Sequence, residues 1–187
     1  MTAARGRYLV FLNSHCRMQE HSLGELFRSL SSSAERAVVC PMLCDSEAKV
    51  LSAGNIVFKD ADIARYGSAQ MSIYAPYVNY LRNTDCADPK CFAIDKAALC
   101  RLKLSDLSYY SDEYLLCALC LHLWYRFSLQ TVYQPLSRVM LLNSESAPEV
   151  SALSRAEDRR KLFLSFTNEL SSHHLFQNSF DVRALDH

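Results

Sequence analysis

The alternation of apolar and polar stretches divides the chain into short elements. Tyr8-Leu9-Val10-Phe11-Leu12 is a β-rich run that stops at the polar group Asn13-Ser14-His15. That pattern predicts a strand delivering polar side chains at its carboxyl end, where open α/β sheets build ligand sites. Leu23, Leu26, Phe27 and Leu30 recur at helical spacing and predict a helix over 22–31. "AVVCPML" reads as a short strand interrupted by Pro41, and further strands are expected at 55–58, 78–81 and 91–94. Between 59 and 76 the periodicity is weak, which predicts a surface excursion. "DKAALCRL" is a short helix that Asp95 can cap, and "SDEYLLCALCLHLWYRF" begins a longer, buried one with Ser111 or Asp112 as cap. "QTVYQPLSRVMLL" reads as a strand broken at Pro135. "SRAEDRRKLFLSFTNEL" opens with a capping box, Ser154 and Glu157, and carries Leu162, Phe163, Phe166 and Leu170 as its apolar stripe. Strands alternating with helices make an α/β domain.

Composition narrows the function classes. At 187 residues the chain is one domain, 1–187, with half of its residues apolar and 21% charged. Twenty basic residues balance twenty acidic ones, so no long-range field draws in nucleic acid or an anionic membrane. No apolar run approaches the ~20 residues of a membrane span. Three arginines and no acid precede Glu20, a faint likeness to a mitochondrial presequence that a strand with a basic lead-in explains better. The expectation is an intracellular, cytoplasmic protein, with a mitochondrial address as the alternative. The eight cysteines then read as reduced, mostly buried thiols, and only the closely spaced Cys86 and Cys91 invite a role beyond packing.

Two stretches have the grammar of a site. One is the strand end at Asn13-Ser14-His15. The other is "YYSDEY", 109–114, where Asp112 and Glu113 meet a helix amino terminus beside three tyrosines. The bland account of the acids is capping and dipole complementarity, and that of His15 is a hydrogen-bonded turn. There is no glycine-rich phosphate loop, no HExxH and no GxSxG. His122 reads as a core histidine, Trp124, Tyr125 and Phe127 as packing surface, and His173-His174 as an exposed helix end.

The order of the motifs carries more than any one of them. "RGRYLVFLNSH", "AVVCPMLCDSEAKVLSAGNIVF", "NTDCADPKCFAIDKAAL", "YYSDEYLLCALC" and "TVYQPLSRVMLLN" follow one another as the later part of a family 2 glycosyltransferase does. The chain resembles that family over 5–145, leaving 146–187 as a helical extension. The resemblance implies a GT-A-like, Rossmann-related mixed sheet flanked by helices, without the first nucleotide-binding strands. It also implies transfer of a sugar from a nucleotide-sugar donor to an acceptor hydroxyl. In the family a divalent metal, Mn²⁺ or Mg²⁺, neutralises the leaving diphosphate, and an aspartate deprotonates the acceptor. Carried over, His15 falls on the metal position and Asp112 on the base position.

The departures from the family are as specific as the matches. His15 stands where an aspartate belongs, and imidazole suits zinc or copper better than a hard, oxygen-seeking cation. Ser111 replaces the glutamate before the base, and Leu141-Leu142-Asn143 stand where many members carry histidine. Asp88-Pro89-Lys90 replaces a small turn and would narrow an acceptor cleft. Two readings follow: an active glycosyltransferase of which this is the acceptor-side portion, or an inactive GT-A-derived domain holding a protein partner at an exposed sheet edge.

Overall fold

The computed structural model describes residues 4–67, 71–103, 107–109, 111–142 and 151–172. Strand β1 covers Tyr8–Leu12, β2 Cys16–Met18, β3 Arg36–Cys44 and β4 Val50–Ser52. A hairpin of β5, Asn55–Val57, and β6, Ile63–Arg65, comes next, then β7, Arg82–Asn83, β8, Cys91–Asp95, and β9, Gln130–Leu141. The helices are α1 Ser22–Ser31, α2 Lys96–Leu99, α3 Asp112–Phe127, α4 Ala152–Ser165 and α5 Thr167–Ser172. The main sheet has the order β1-β8-β3-β9-β2, with β4 beside β3 and β7 beside β9. β8 runs antiparallel to both β1 and β3, and β3 runs parallel to β9. Hence β1, β3 and β9 all point the same way, and their carboxyl ends share one edge of the molecule.

Two cores flank the sheet. Helix α1 lays Leu26 and Leu30 on Val39, Ala93 and Val132. On the opposite face α3, α4 and α5 pack over Val38, Cys40, Ile94 and Tyr133 through Leu116, Cys120, Leu162, Phe166 and Leu170. Burial all along α3 matches its apolar sequence. Ser111 caps that helix by accepting the Tyr114 N–H, and Asp95 caps α2 by accepting the Ala97 N–H. Among the described residues no helix is long and apolar enough to cross a membrane.

The prolines do not break their strands. β3 continues through Pro41 and β9 through Pro135, and the two irregularities coincide. Pro41 faces Gln134 and Met42 faces Arg138, so Pro135, Leu136 and Ser137 form a bulge on β9. The bulge is pinned by Ser22, whose Oγ accepts the Arg138 N–H at 2.9 Å and donates to the Arg138 carbonyl at 2.7 Å. Before the bulge β9 is flanked by β7, and after it by β2.

Other expectations shift. The stretch expected as a strand at 78–81 begins in a 3-10 turn, Pro76–Val78, because Pro76 fixes the turn; pairing resumes only at Arg82. The excursion at 59–76 contains β6, a strand of three residues and too short to show a period. Helix α4 is capped by Ser151, not by a box at Ser154, since the Ser151 Oγ accepts the Ser154 N–H. His173-His174 lie outside the described residues.

Candidate functional site

Backbone hydrogen bonds fix the turn after β1. The Asn13 N–H donates to the Lys90 carbonyl at 2.8 Å, and the Asn13 side-chain carbonyl accepts the His15 N–H at 2.9 Å. The Leu142 N–H, just past β9, donates to the His15 carbonyl at 2.8 Å. The turn therefore ties the carboxyl ends of β1 and β9 together through β2. The His15 side chain is exposed and has no hydrogen bond or ion pair among the described residues.

Beside this turn, Asp88 is buried in the loop before β8. One carboxylate oxygen accepts the Lys90 N–H at 3.0 Å, and the other lies 3.3 Å from Nε of Arg65 on β6. Burial outweighs the nearby Lys90 cation and pushes the Cys16 thiol up. These donors make a poor cage for a hard divalent ion. The one imidazole at this turn is His15, the Asn13 oxygen is engaged by the turn, and the buried Asp88 Oδ2, which accepts no hydrogen bond among the described residues, already faces the Arg65 cation. Among the described residues, no group of three or more His, Cys, Asp or Glu side chains is arranged to hold a metal. The residues present do not fit Mn²⁺ or Mg²⁺.

The second predicted position is built from helices. α3 leads into β9 through Ser128 and Leu129, so it runs back along the sheet and places its amino terminus at the carboxyl end. That terminus is clamped from behind. The Ser111 N–H donates to an Asp158 carboxylate oxygen at 2.8 Å, and Asp158 on α4 is fully buried. Arg155 pairs with Glu113 at 3.2 Å, and Arg159 with Asp60 at 2.6 Å. Glu113 is thus occupied, whereas Asp112 is exposed and has no hydrogen bond or ion pair among the described residues. Burial, ahead of the charge of Asp62, pushes the neighbouring Tyr114 phenol up to about 12. His15, on the turn between β1 and β2, and Asp112, on α3, are both placed toward the carboxyl end of the sheet, and no hydrogen bond or ion pair joins them among the described residues.

Sequence reasoning missed Asp158, which looks like one more surface acid in "SRAEDRRK", and Asp85. The Asp85 carboxylate accepts the Val57 N–H at 2.8 Å, and burial pushes it up to about 7 against the opposing pull of Arg82. Arg82 stacks over Tyr66 at 3.9 Å and Tyr133 at 4.9 Å. The cysteines behave as expected: all eight are free and only Cys100 is exposed. Cys86 faces Cys117 on α3, not Cys91; their hydrogen bond and burial hold the Cys86 thiol well above its ordinary range. Such thiols are packing groups.

No family model matches the chain, and no curated protein matches it. A solved structure does, the crystal structure of GalNAc-T7 with UDP, GalNAc and Mn²⁺. The match covers 91% of this chain at a TM-score of 0.60 and 14% identity, and it spans 34% of that chain, about a third of its length. At that identity the likeness is one of fold, not of chemistry. The seven-stranded mixed sheet with helices on both faces is a GT-A-like glycosyltransferase fold.

Proposed function

We propose that this chain is the acceptor-side portion of a glycosyltransferase, which moves a sugar from a nucleotide-sugar donor to an acceptor hydroxyl. The observation that carries the reading is the Asp112 carboxylate. It is exposed at the positive end of α3, with no hydrogen bond or ion pair among the described residues, and the buried Asp158–Ser111 clamp holds its helix end at the carboxyl edge of the sheet. There it takes the proton of an acceptor hydroxyl as that oxygen bonds to the anomeric carbon and the nucleotide diphosphate departs. The order of sequence motifs supports placement with family 2, and the eight free thiols fit a reducing, intracellular compartment. The donor set around His15 does not fit a hard cation, so no step is routed through a metal. The charge of the leaving diphosphate is then met from outside this stretch of sequence, by a longer parent chain or by a partner subunit.

The same misfit favours a second reading, a GT-A-derived domain that has lost transfer and serves as a structural subunit. One experiment separates the two. The chain, within its full-length protein and with any subunit that co-purifies with it, is incubated with UDP- and GDP-sugars and a panel of saccharide acceptors, with and without Mn²⁺, and products are read by mass spectrometry. Transfer that falls about 10²- to 10⁴-fold in Asp112→Asn supports the first reading. Unchanged transfer in that variant removes Asp112 as the base, and no transfer with any donor leaves the structural subunit.

A further inference from the structure

Four tyrosines gather on the segments that lead from β6 to β7. Tyr74, Tyr77 and Tyr80 are 74%, 50% and 49% exposed, and they recur at the three-residue period of the 3-10 turn at Pro76–Val78. Ile73 and Val78 are buried in the core on the α3 face, so the three rings fall on the outer side. Tyr66, just past β6, adjoins them: burial, then the neighbouring Tyr80 phenol, holds its own phenol above the ordinary range. The turn is fixed from within. The Tyr133 hydroxyl donates to the Val78 carbonyl at 2.7 Å, and the Asn79 amide donates to the Ile73 and Ala75 carbonyls at 2.7 and 2.9 Å.

Beneath the rings stands a cation. Arg82 donates from Nη2 to the Ala53 carbonyl, but its buried Nε and Nη1 have no hydrogen-bond partner. Donors left unspent in the interior are costly, and these face aromatic rings instead: Tyr66 at 3.9 Å, Tyr133 at 4.9 Å and Tyr80 at 5.9 Å. Arg82 is thus a post that sets Tyr66 and Tyr80 before any ligand arrives. An aromatic surface held open to water and organised in advance marks a place of binding.

Charge narrows the occupant. Arg138 lies over the Tyr74 ring at 5.8 Å. Arg17 on β2 pairs with Met140, so it is the diagonal neighbour of Arg138 on the same face, about 7–8 Å away by strand geometry. Neither guanidinium makes a hydrogen bond or ion pair among the described residues. The acid on the turn after β3, Asp45, is spent on that turn, accepting the Glu47 and Lys49 N–H groups at 2.9 and 2.8 Å. Two free cations at one end of a tyrosine shelf suit one or two acidic groups on a ring-shaped ligand. A nucleic-acid strand carries a charge at every nucleotide and calls for a row of cations, and a proline-rich peptide leaves both arginines without counter-ions.

Position ties the shelf to Asp112. The turn before β6 abuts the start of α3, since Arg159 pairs with Asp60 and the Asp62 charge reaches Tyr114. From Asp62 the chain runs through β6 to Tyr66, four residues and about 13 Å of extended strand. We propose that the shelf holds the acceptor and that the acceptor is an acidic oligosaccharide. Its sugar rings lie on Tyr74, Tyr77 and Tyr80, its carboxylate or sulfate pairs with Arg138 and Arg17, and a hydroxyl beyond the shelf meets Asp112. The acceptor role rests on the glycosyl-transfer reading; the binding does not.

The full-length protein, with any subunit that co-purifies with it, is titrated by calorimetry with four probes. They are a tetrasaccharide of alternating uronic acid and N-acetylhexosamine, a neutral N-acetylglucosamine tetramer, a uridine oligonucleotide and a proline-rich peptide. The uronate tetrasaccharide is expected to bind at least about 10-fold more tightly than the other three. Tyr74→Ala with Tyr77→Ala should weaken it about 10-fold, and phenylalanine at both positions, which keeps the rings, should restore it. Arg17→Gln with Arg138→Gln should bring its affinity down to that of the neutral tetramer. Equal affinity for the acidic and neutral sugars overturns the inference, as does binding untouched by the alanine pair, tighter binding of the oligonucleotide or peptide, or no saccharide binding at all. If the alanine pair fails to fold, the arginine pair decides. Turnover separates this inference from the transfer reading: shelf variants should raise KM for the acidic acceptor with kcat held, whereas Asp112→Asn lowers kcat. Binding on the shelf without transfer from any donor removes the transfer reading alone, and transfer with KM unchanged in the shelf variants removes the shelf alone.

Discussion

Asp85 is a carboxyl group held where its charge is costly. Its folded value of about 7 lies above the ordinary carboxylate range, so between pH 4 and pH 7 the folded state binds a proton that the unfolded state releases. Its contribution to stability is present below that window and is lost as pH rises through it, at up to about 1.4 kcal/mol per pH unit. Thermal melts of the wild type should therefore fall from pH 5 to pH 8 relative to Asp85→Asn, which can still accept the Val57 N–H. Equal slopes for the two proteins would contradict this. Gly54 is constrained in another way. Its φ is +89°, and a Cβ there would sit 2.6 Å from the Thr84 Oγ1 that donates to the Asn55 carbonyl. Gly54→Ala should cost about 1–3 kcal/mol in urea denaturation. Asp112→Asn, by contrast, removes an exposed acid from a helix end and should cost less than about 1 kcal/mol while removing most transfer. Caps such as Ser111 and Asp95 were legible because a cap acts within three residues of itself. Asp85 and Asp158 were not, because their partners lie far along the chain.

At the scale of elements, length decided what could be read. β1, β8, α1 and α3 have five or more residues of unbroken pattern, whereas β2, β4 and β6 have three each, too few for any period; β5, also of three, was legible because Phe58 extends its apolar run. The bulge in β9 was half legible: Pro135 marked the irregularity, but only the facing Pro41 and the Ser22 bridge explain why the strand resumes. The clamp between α3 and α4 carries the clearest prediction. Asp158→Ala leaves the Ser111 N–H buried without its acceptor and should destabilise the protein by about 1–3 kcal/mol, read by urea denaturation. Transfer should fall with it, since the helix end that presents Asp112 loses its backing. Asp158→Asn, which keeps an acceptor oxygen, should recover most of both.

For the whole molecule, the fold was legible from motif order although no stretch was decisive, because a mixed sheet needs its strands and crossovers in one sequence. What could not be read was which parts of the site meet. His15 and Asp112 stand almost a hundred residues apart, and the fold places both toward one end of the sheet with no hydrogen bond or ion pair joining them among the described residues. The metal expected at His15 depends on donors converging there, and convergence is a tertiary property that no local pattern encodes.

The pairing of β9 has a consequence in time. β3 acquires its parallel neighbour only from residues 130–141, and Ser22 reaches Arg138 across 116 residues of chain. A chain made from its amino terminus must therefore hold β3 without its full set of neighbours until synthesis has passed Leu141. Long loops must close before any of these contacts contributes, which makes sheets of this kind slow to form and exposed while they wait. A chain ended at Leu129 should collapse without fixed aromatic packing, visible as a near-UV dichroism spectrum that is flat. The full chain, refolded from urea, should gain that signal in a single late phase, as β9 closes the sheet.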